Sequence, residues 1–267
     1  METERPDAIF RDPFARALAG EEGEAIVNAL PHGRRMAWPM ITRTAIIDDL
    51  VMQAVERAHL DSVMNLAAGL DARPWRLPLP PTLLWIDVDM PPMLDRKEAV
   101  LQGEKPRCRY EAIRQDLSNV AERERLFRSI GDRVEKTLVI TEGLLIYLDS
   151  GAVAGLARDL AAVPSFRFWI MDLASPGLLK RLEKTWAPAL RAGNAQFKFG
   201  PEENTRFFQS LGWEELEYRS MFDESIRYGR TMPLAKFWRL VGKLGPKKQR
   251  REFARFSGVS LLERSRQ

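Results

Sequence analysis

A turn of small residues, Ala67-Ala68-Gly69-Leu70-Asp71-Ala72, and an aspartate twenty positions beyond Gly69, Asp89, have the types and spacing that hold a nucleoside. Small residues let a strand turn sharply into a helix and leave bare backbone against which a ligand can lie. The pattern is the dinucleotide-binding fingerprint with its first glycine replaced, here by Ala67. Alone, the turn reads equally as an ordinary connection. Asp89 supplies what the turn lacks, a carboxylate that accepts from both hydroxyls of a ribose.

Two cofactor classes satisfy that pair, and charge separates them. A nicotinamide dinucleotide brings two phosphates, whereas the turn carries Asp71 beside Arg73, with Glu142 beyond a later strand. Such a mixture partly repels pyrophosphate and suits a zwitterion; S-adenosylmethionine, with its ammonium, carboxylate and sulfonium, is one. Arg73 and Arg76 read equally as a solvated face, and Glu142 as a strand end entering a turn with no ligand.

Other candidates for chemistry are few. His32 lies in Pro31-His32-Gly33, read as a loop, and His59 ends the helix before the first strand, where a contact with the helix dipole explains it. Both read as structural or solvated. Tyr147 is the one candidate near an acceptor, either pointing into a cleft or packing its ring; the catalytic residue is otherwise unassigned. One cysteine, Cys108, and two histidines outside any ligand-spaced cluster give no metal site. Asp87 and Asp89 would take magnesium only at the expense of the ribose role. The run Lys247-Lys248-Gln249-Arg250-Arg251 reads as a solvated face, because no basic surface interleaved with aromatics accompanies it.

These residues need a scaffold that gathers strand ends at one edge. Ser62-Val63-Met64-Asn65-Leu66, Leu83-Leu84-Trp85-Ile86-Asp87-Val88, Thr137-Leu138-Val139-Ile140-Thr141 and Phe166-Arg167-Phe168-Trp169-Ile170-Met171-Asp172 read as buried parallel strands. Between the last two, Val153, Leu156, Ala157 and Leu160 recur at helical spacing, so the class is α/β. Residues 1–60 carry helical periodicity at Ile41, Ala45, Ile46, Leu50, Val51 and Val55, with no strand, and form an expected helical cap on a core of residues 61–267. Within that core, Trp186, Pro188 and Gly193 fall in a helix-then-break pattern near 176–200, where a lid is expected. A further helix ends at Leu211-Gly212-Trp213, and no second domain boundary is evident.

With 267 residues, 45% of them hydrophobic and 29% charged, one domain can bury roughly three quarters of its unfolded surface. A net charge of +4 argues only weakly for anionic partners. Charged residues interrupt the first thirty positions, and no run of eighteen apolar residues exists. A cytoplasmic protein with no membrane and no nucleic-acid partner is expected.

The chain resembles the leucine carboxyl methyltransferase-like family, which includes polyketide carboxyl O-methyltransferases of the tetracenomycin type. The likeness is carried, in order, by Asp12-Pro13-Phe14-Ala15, by Arg43-Thr44-Ala45-Ile46-Ile47-Asp48-Asp49, and by the stretch from Asn65 through Gly69 and Arg73-Pro74-Trp75-Arg76 to Leu77. Val88-Asp89-Met90-Pro91 with Arg96-Lys97, then Asp116-Leu117, then Thr141-Glu142-Gly143-Leu144-Leu145-Ile146-Tyr147-Leu148 complete it. The resemblance implies a Rossmann-like class I methyltransferase: a mostly parallel seven-stranded sheet with helices on both faces and an N-terminal helical cap. It implies S-adenosylmethionine as cofactor, with Arg43 and Arg73 near its carboxylate, Ala67, Ala68 and Gly69 under its methionine chain and Glu142 by its ammonium. Asp89 with Met90 would lie at the ribose, and Asp116 and Leu117 at the adenine. The family has glycine where this chain has Ala67; a positive φ there would cost about 1 kcal/mol.

Methyl transfer from a sulfonium is an in-line displacement, in which alignment in a dry cavity supplies about 7 to 11 kcal/mol. A carboxylate acceptor is already ionised at neutral pH, whereas a phenol, with a pKa near ~10, gains from a general base. The scarcity of bases therefore favours a small carboxylic acid, aromatic or polyketide-like, over a phenol. Two alternatives stand beside this reading: a methyltransferase of protein C-terminal carboxylates, and a non-catalytic binding subunit of the same fold. A homodimer is compatible with the sequence, which does not define an oligomeric state.

Overall fold

The computed structural model describes residues 2–29, 37–192, 196–244 and 246–265. Two helices open the chain, α1 (Ala15–Ala29) and α2 (Trp38–Ala58). Helix α2 begins with Pro39 in its first turn, buries Ala45, Ile46, Leu50, Val51 and Val55 along one face, and stops at His59, whose φ of 51° is left-handed. Alternating elements follow: β1 (Ser62–Leu66), the short α3 (Arg73–Arg76), β2 (Leu84–Asp89), α4 (Pro91–Val100), β3 (Arg109–Arg114) and α5 (Val120–Gly131). Next come β4 (Thr137–Thr141), α6 (Ser150–Ala161), β5 (Phe166–Ala174) and α7 (Pro176–Ala192). The chain closes with β6 (Trp213–Ser220), α8 (Met221–Arg227), α9 (Ala235–Leu244), α10 (Lys247–Ala254) and β7 (Ser257–Arg264).

The strands form one seven-stranded sheet in the order β3-β2-β1-β4-β5-β7-β6. Pairs among the first five are parallel, and β7 inserts antiparallel to both β5 and β6. Every residue of β1 and β4 is buried, as central strands covered on both faces must be. On one face Met64, Leu66, Ile86, Val88 and Val139 pack with Phe127 and Ile130 of α5 and Val153, Leu156 and Leu160 of α6. On the other, Val63, Trp85, Leu138 and Ile170 pack with Ile46, Ile47, Leu50 and Val51 of α2. This is the class I methyltransferase fold, with the helical N-terminal region the sequence indicates.

Three strands fall outside those expected from the sequence: β3, β6 and β7. Leu211 closes a 3-10 turn, Asn204–Leu211, rather than an α-helix, and Gly212 turns the chain with a φ of 93°. His32 and Gly193 lie outside the described residues.

Candidate active site

Strand order reverses direction between β1 and β4, and a parallel sheet opens a crevice for ligands at the carboxyl ends of its strands at such a point. Ala67 leaves β1 there, Glu142 leaves β4, Asp89 closes β2 and Asp116 follows β3. The topology thus brings to one edge the residues that the sequence holds apart.

Ala67 has a φ of 52° and Gly69 a φ of 53°. The double left-handed turn lifts the Gly69 N–H toward β2, where it donates to Oδ2 of Asp89 at 2.7 Å. The N–H of Met90 donates to the other oxygen at 2.6 Å. Asp89 is therefore fixed in orientation while each oxygen keeps a lone pair for a diol. A Cβ on Gly69 would meet nothing within 4 Å, so this backbone borders open space. Ala67 adopts the conformation that the family's glycine takes freely, at a cost of about 1–2 kcal/mol. Ala68 between them is buried, and Met90 is exposed.

Beside the turn lies an ion network. Arg73, buried to 2% side-chain exposure, donates from Nε to Asp48 at 2.6 Å and from Nη1 to Asp71 and Glu142, each at 2.8 Å. Arg43, on α2, donates from Nε to the second Glu142 oxygen at 2.9 Å and from Nη1 to Asp172 at 3.2 Å. Arg76 forms a bidentate pair with Asp48 at 2.6 and 2.7 Å, and neither Arg73 nor Arg76 is a solvated face. Burial alone would raise the Glu142 carboxyl, but Arg73 and Arg43 overcome it and hold it at about 2. Glu142 is thus an anion at every physiological pH.

The arrangement divides the two arginines. Each engages protein carboxylates through Nε and Nη1, but the Arg73 side chain is 2% exposed and that of Arg43 20%, so the outer edge of Arg43 is the more accessible to a ligand. Three arginines face five carboxylates, Asp12, Asp48, Asp71, Glu142 and Asp172, which leaves a surplus negative charge. S-adenosylmethionine, with two positive groups and one negative, complements that surplus; a pyrophosphate opposes it.

Asp172 is a site residue that the sequence reading did not single out. It lies in β5, and its Oδ1 accepts the Gly143 N–H at 2.6 Å. Gly143 has a φ of 65°, and a Cβ there would stand 3.3 Å from Nη1 of Arg43. The signal was available: a glycine directly after Glu142, and a carboxylate following the apolar run Phe168-Trp169-Ile170-Met171.

Asp116 is exposed and accepts from the Ser118 N–H at 2.8 Å, which together with the Ser118 side chain lowers its carboxyl below the usual range. Leu117 is half-buried against the core. Tyr147 is exposed at 42%, its ring 5.5 Å from that of Phe197. Residues 197–199 cover this turn, since the N–H groups of Lys198 and Phe199 both donate to the Ile146 carbonyl, at 2.7 and 3.2 Å. Leu179 of α7, Ala174 and Phe197 pack with Ile146 into an apolar roof over the end of β5.

Other candidates lie elsewhere. His59 precedes β1, at the opposite edge of the sheet. Asp87 is wholly buried, holding Lys97 at 2.6 Å, Tyr110 at 2.8 Å and Trp85 at 2.9 Å, and is closed to a metal ion. A cavity of about 520 Å³ lined by Gly131, Asp132, Glu135 and Ser165 also lies at the opposite edge, near the starts of β4 and β5. The site is defined by its polar groups rather than by that hollow.

Residues 1–161 match the family model leucine carboxyl methyltransferase. A Streptomyces avermitilis protein named as an S-adenosyl-L-methionine-dependent methyltransferase is 29% identical over 242 residues, covering 87% of this chain and 84% of the relative. A similarly named protein of Mycobacterium bovis is 30% identical over 271 residues, covering 92% and 78%. Among solved structures, a duf574 family protein from Streptomyces avermitilis superposes with a TM-score of 0.58 over 98% of each chain, at 13% identity, a likeness of fold.

Proposed function

We propose, from the premise that the chain belongs to the leucine carboxyl methyltransferase family, that it forms a methyl ester on a small organic acid. The coarser activity is plain: it is an S-adenosylmethionine-dependent methyltransferase. When bound, the cofactor supplies a methyl group on a sulfonium, activated for displacement by a nucleophilic oxygen.

Each residue then has a part. Asp89, steadied by two backbone N–H groups, holds the ribose diol, with Met90 beside it. Asp116 and Leu117 border the adenine. Ala67, Ala68 and Gly69 present open backbone to the methionine chain. Glu142 faces the ammonium, and the outer edge of Arg43 faces the carboxylate. Arg73 acts one step back, fixing Glu142, Asp71 and Asp48 in place.

On the acceptor side, α7 and residues 197–199 form a lid over Ile146 and Tyr147. The lid excludes water and suits a small apolar acid better than the tail of a folded protein. Among the described residues no histidine stands at this edge, and a carboxylate acceptor requires no base. The observation that carries the reading is the Glu142 carboxylate held between Arg43 and Arg73. The test is the lability of the product. Methyl-labelled cofactor and a panel of aromatic and polyketide acids should give a product that mild alkali cleaves. An alkali-stable methyl ether would sink the carboxylate reading while leaving the cofactor assignment intact.

A further inference from the structure

Strand β7 runs antiparallel to both β5 and β6, so those two strands are parallel, and Ser220 and Leu173 are both register partners of Gly258. The segment between β6 and β7 therefore leaves from the edge that carries Glu142 and Asp172. Its helix α9 packs the wrong way round for a helix of the core. The face turned inward holds small residues: Ala235 is 3% exposed, and Gly242 lies so close to Phe253 that a Cβ would fall 2.8 Å from its ring. Bulky side chains face solvent: Leu234, just before α9, is exposed at 72%, and Phe237, Trp238 and Leu240 within it at 54%, 48% and 58%. Between Lys236 and Arg251 the sequence carries seven Lys and Arg and no Asp or Glu, although the whole chain nets only +4.

We propose that α9 and the basic stretch after it dock the catalytic edge on an anionic lipid surface. An exposed aromatic and aliphatic face flanked by cations is the composition that lies in a bilayer interface, and a contiguous apolar patch left bare by a monomer marks an interaction site. A second copy of the chain is the poorer occupant, since a two-fold contact would set one cationic segment against its twin. The docking is peripheral, because no helix of the described residues is long and apolar enough to cross a membrane. It departs from the sequence-based expectation of no membrane partner, because the outward turn of Phe237 and Trp238 is a property of the packing.

Sedimentation of the full chain with phosphatidylcholine vesicles containing about one part in three of phosphatidylglycerol tests this directly. The chain should sediment with these vesicles at low salt, leave them at high salt, and ignore phosphatidylcholine alone. Reversing two cations, Lys247→Glu with Lys248→Glu, should weaken vesicle binding at least about thirtyfold. Phe237→Ser with Trp238→Ser, two exposed positions, should weaken it at least about tenfold with the thermal midpoint unchanged. Equal binding to neutral and anionic vesicles, absence of binding, or variants that bind like the parent would overturn the proposal. So would soluble polyglutamate that displaces the chain from vesicles at equal charge, which would identify an acidic polypeptide as the partner. No turnover is read, so the outcome is independent of the methyl-transfer assignment.

Discussion

Replacing Glu142 by glutamine keeps the shape of the side chain and removes the charge on which Arg43 and Arg73 converge. Arg73 keeps Asp48 and Asp71, and Arg43 keeps Asp172, so the framework persists and the loss isolates one carboxylate. The two arginines lower its pKa from 4.5 to about 2 against the opposing effect of burial. At 1.36 kcal/mol per unit, that depression is worth roughly 3 kcal/mol of folding stability at neutral pH. Its side chain is 19% exposed, which leaves little room for solvent screening. Because the folded pKa is the lower one, this stability is fully present above 4.5 and is lost as pH falls through about 2. By the same relation about half of it, roughly 1.5 kcal/mol, survives at pH 3. Urea unfolding of the parent and Glu142→Gln at pH 7 and pH 3 measures the two gaps, and titrations common to both proteins cancel. A gap of equal size at the two pH values, or one under about 0.5 kcal/mol at pH 7, would refute the reasoning.

Ala67→Gly removes left-handed strain of about 1–2 kcal/mol and adds unfolded-state entropy worth about 0.4–1 kcal/mol, so a net gain of about 0.5–1 kcal/mol is expected in denaturant unfolding; a loss would mean that the turn is not strained. Lys97→Met leaves the Asp87 carboxylate buried without its cation and should cost about 3–5 kcal/mol. Adding Asp87→Asn should restore much of it, and failure of that rescue would show that packing, not charge, is at stake. Arg230 pins Glu2 with two hydrogen bonds, at 2.9 and 3.0 Å, and also reaches Asp7, tying the N-terminal segment to the loop after α8. Arg230→Ala should therefore speed tryptic cleavage after Arg11, while an unchanged cleavage rate would show that the segment is held by other contacts.

The central strands were legible because β1 and β4 are unbroken apolar runs buried on both faces. Strands β3 and β6 were not: Arg-Tyr-Glu-Ala-Ile-Arg and Trp-Glu-Glu-Leu-Glu-Tyr-Arg-Ser carry the charge of sheet edges, which solvent tolerates on an outer strand. The site was legible as residue types and spacing, since Gly69, Asp89 and Glu142 each follow or close a strand that the pattern reveals. What the sequence could not give was partnership. Arg43 and Arg73 look alike along the chain, yet Arg73 is buried among Asp48, Asp71 and Glu142 while Arg43 keeps an exposed edge. Asp172 needed the neighbouring strand to bring it to Gly143.

The account rests on a zwitterionic nucleoside at the β1–β4 crevice, and calorimetry with S-adenosylhomocysteine tests it most directly. The parent should bind one equivalent, Asp89→Ala should bind at least about tenfold more weakly through loss of charge-assisted hydrogen bonds to the ribose, and NAD should give no heat. Absence of S-adenosylhomocysteine binding at millimolar ligand, or a signal from NAD in its place, would contradict it.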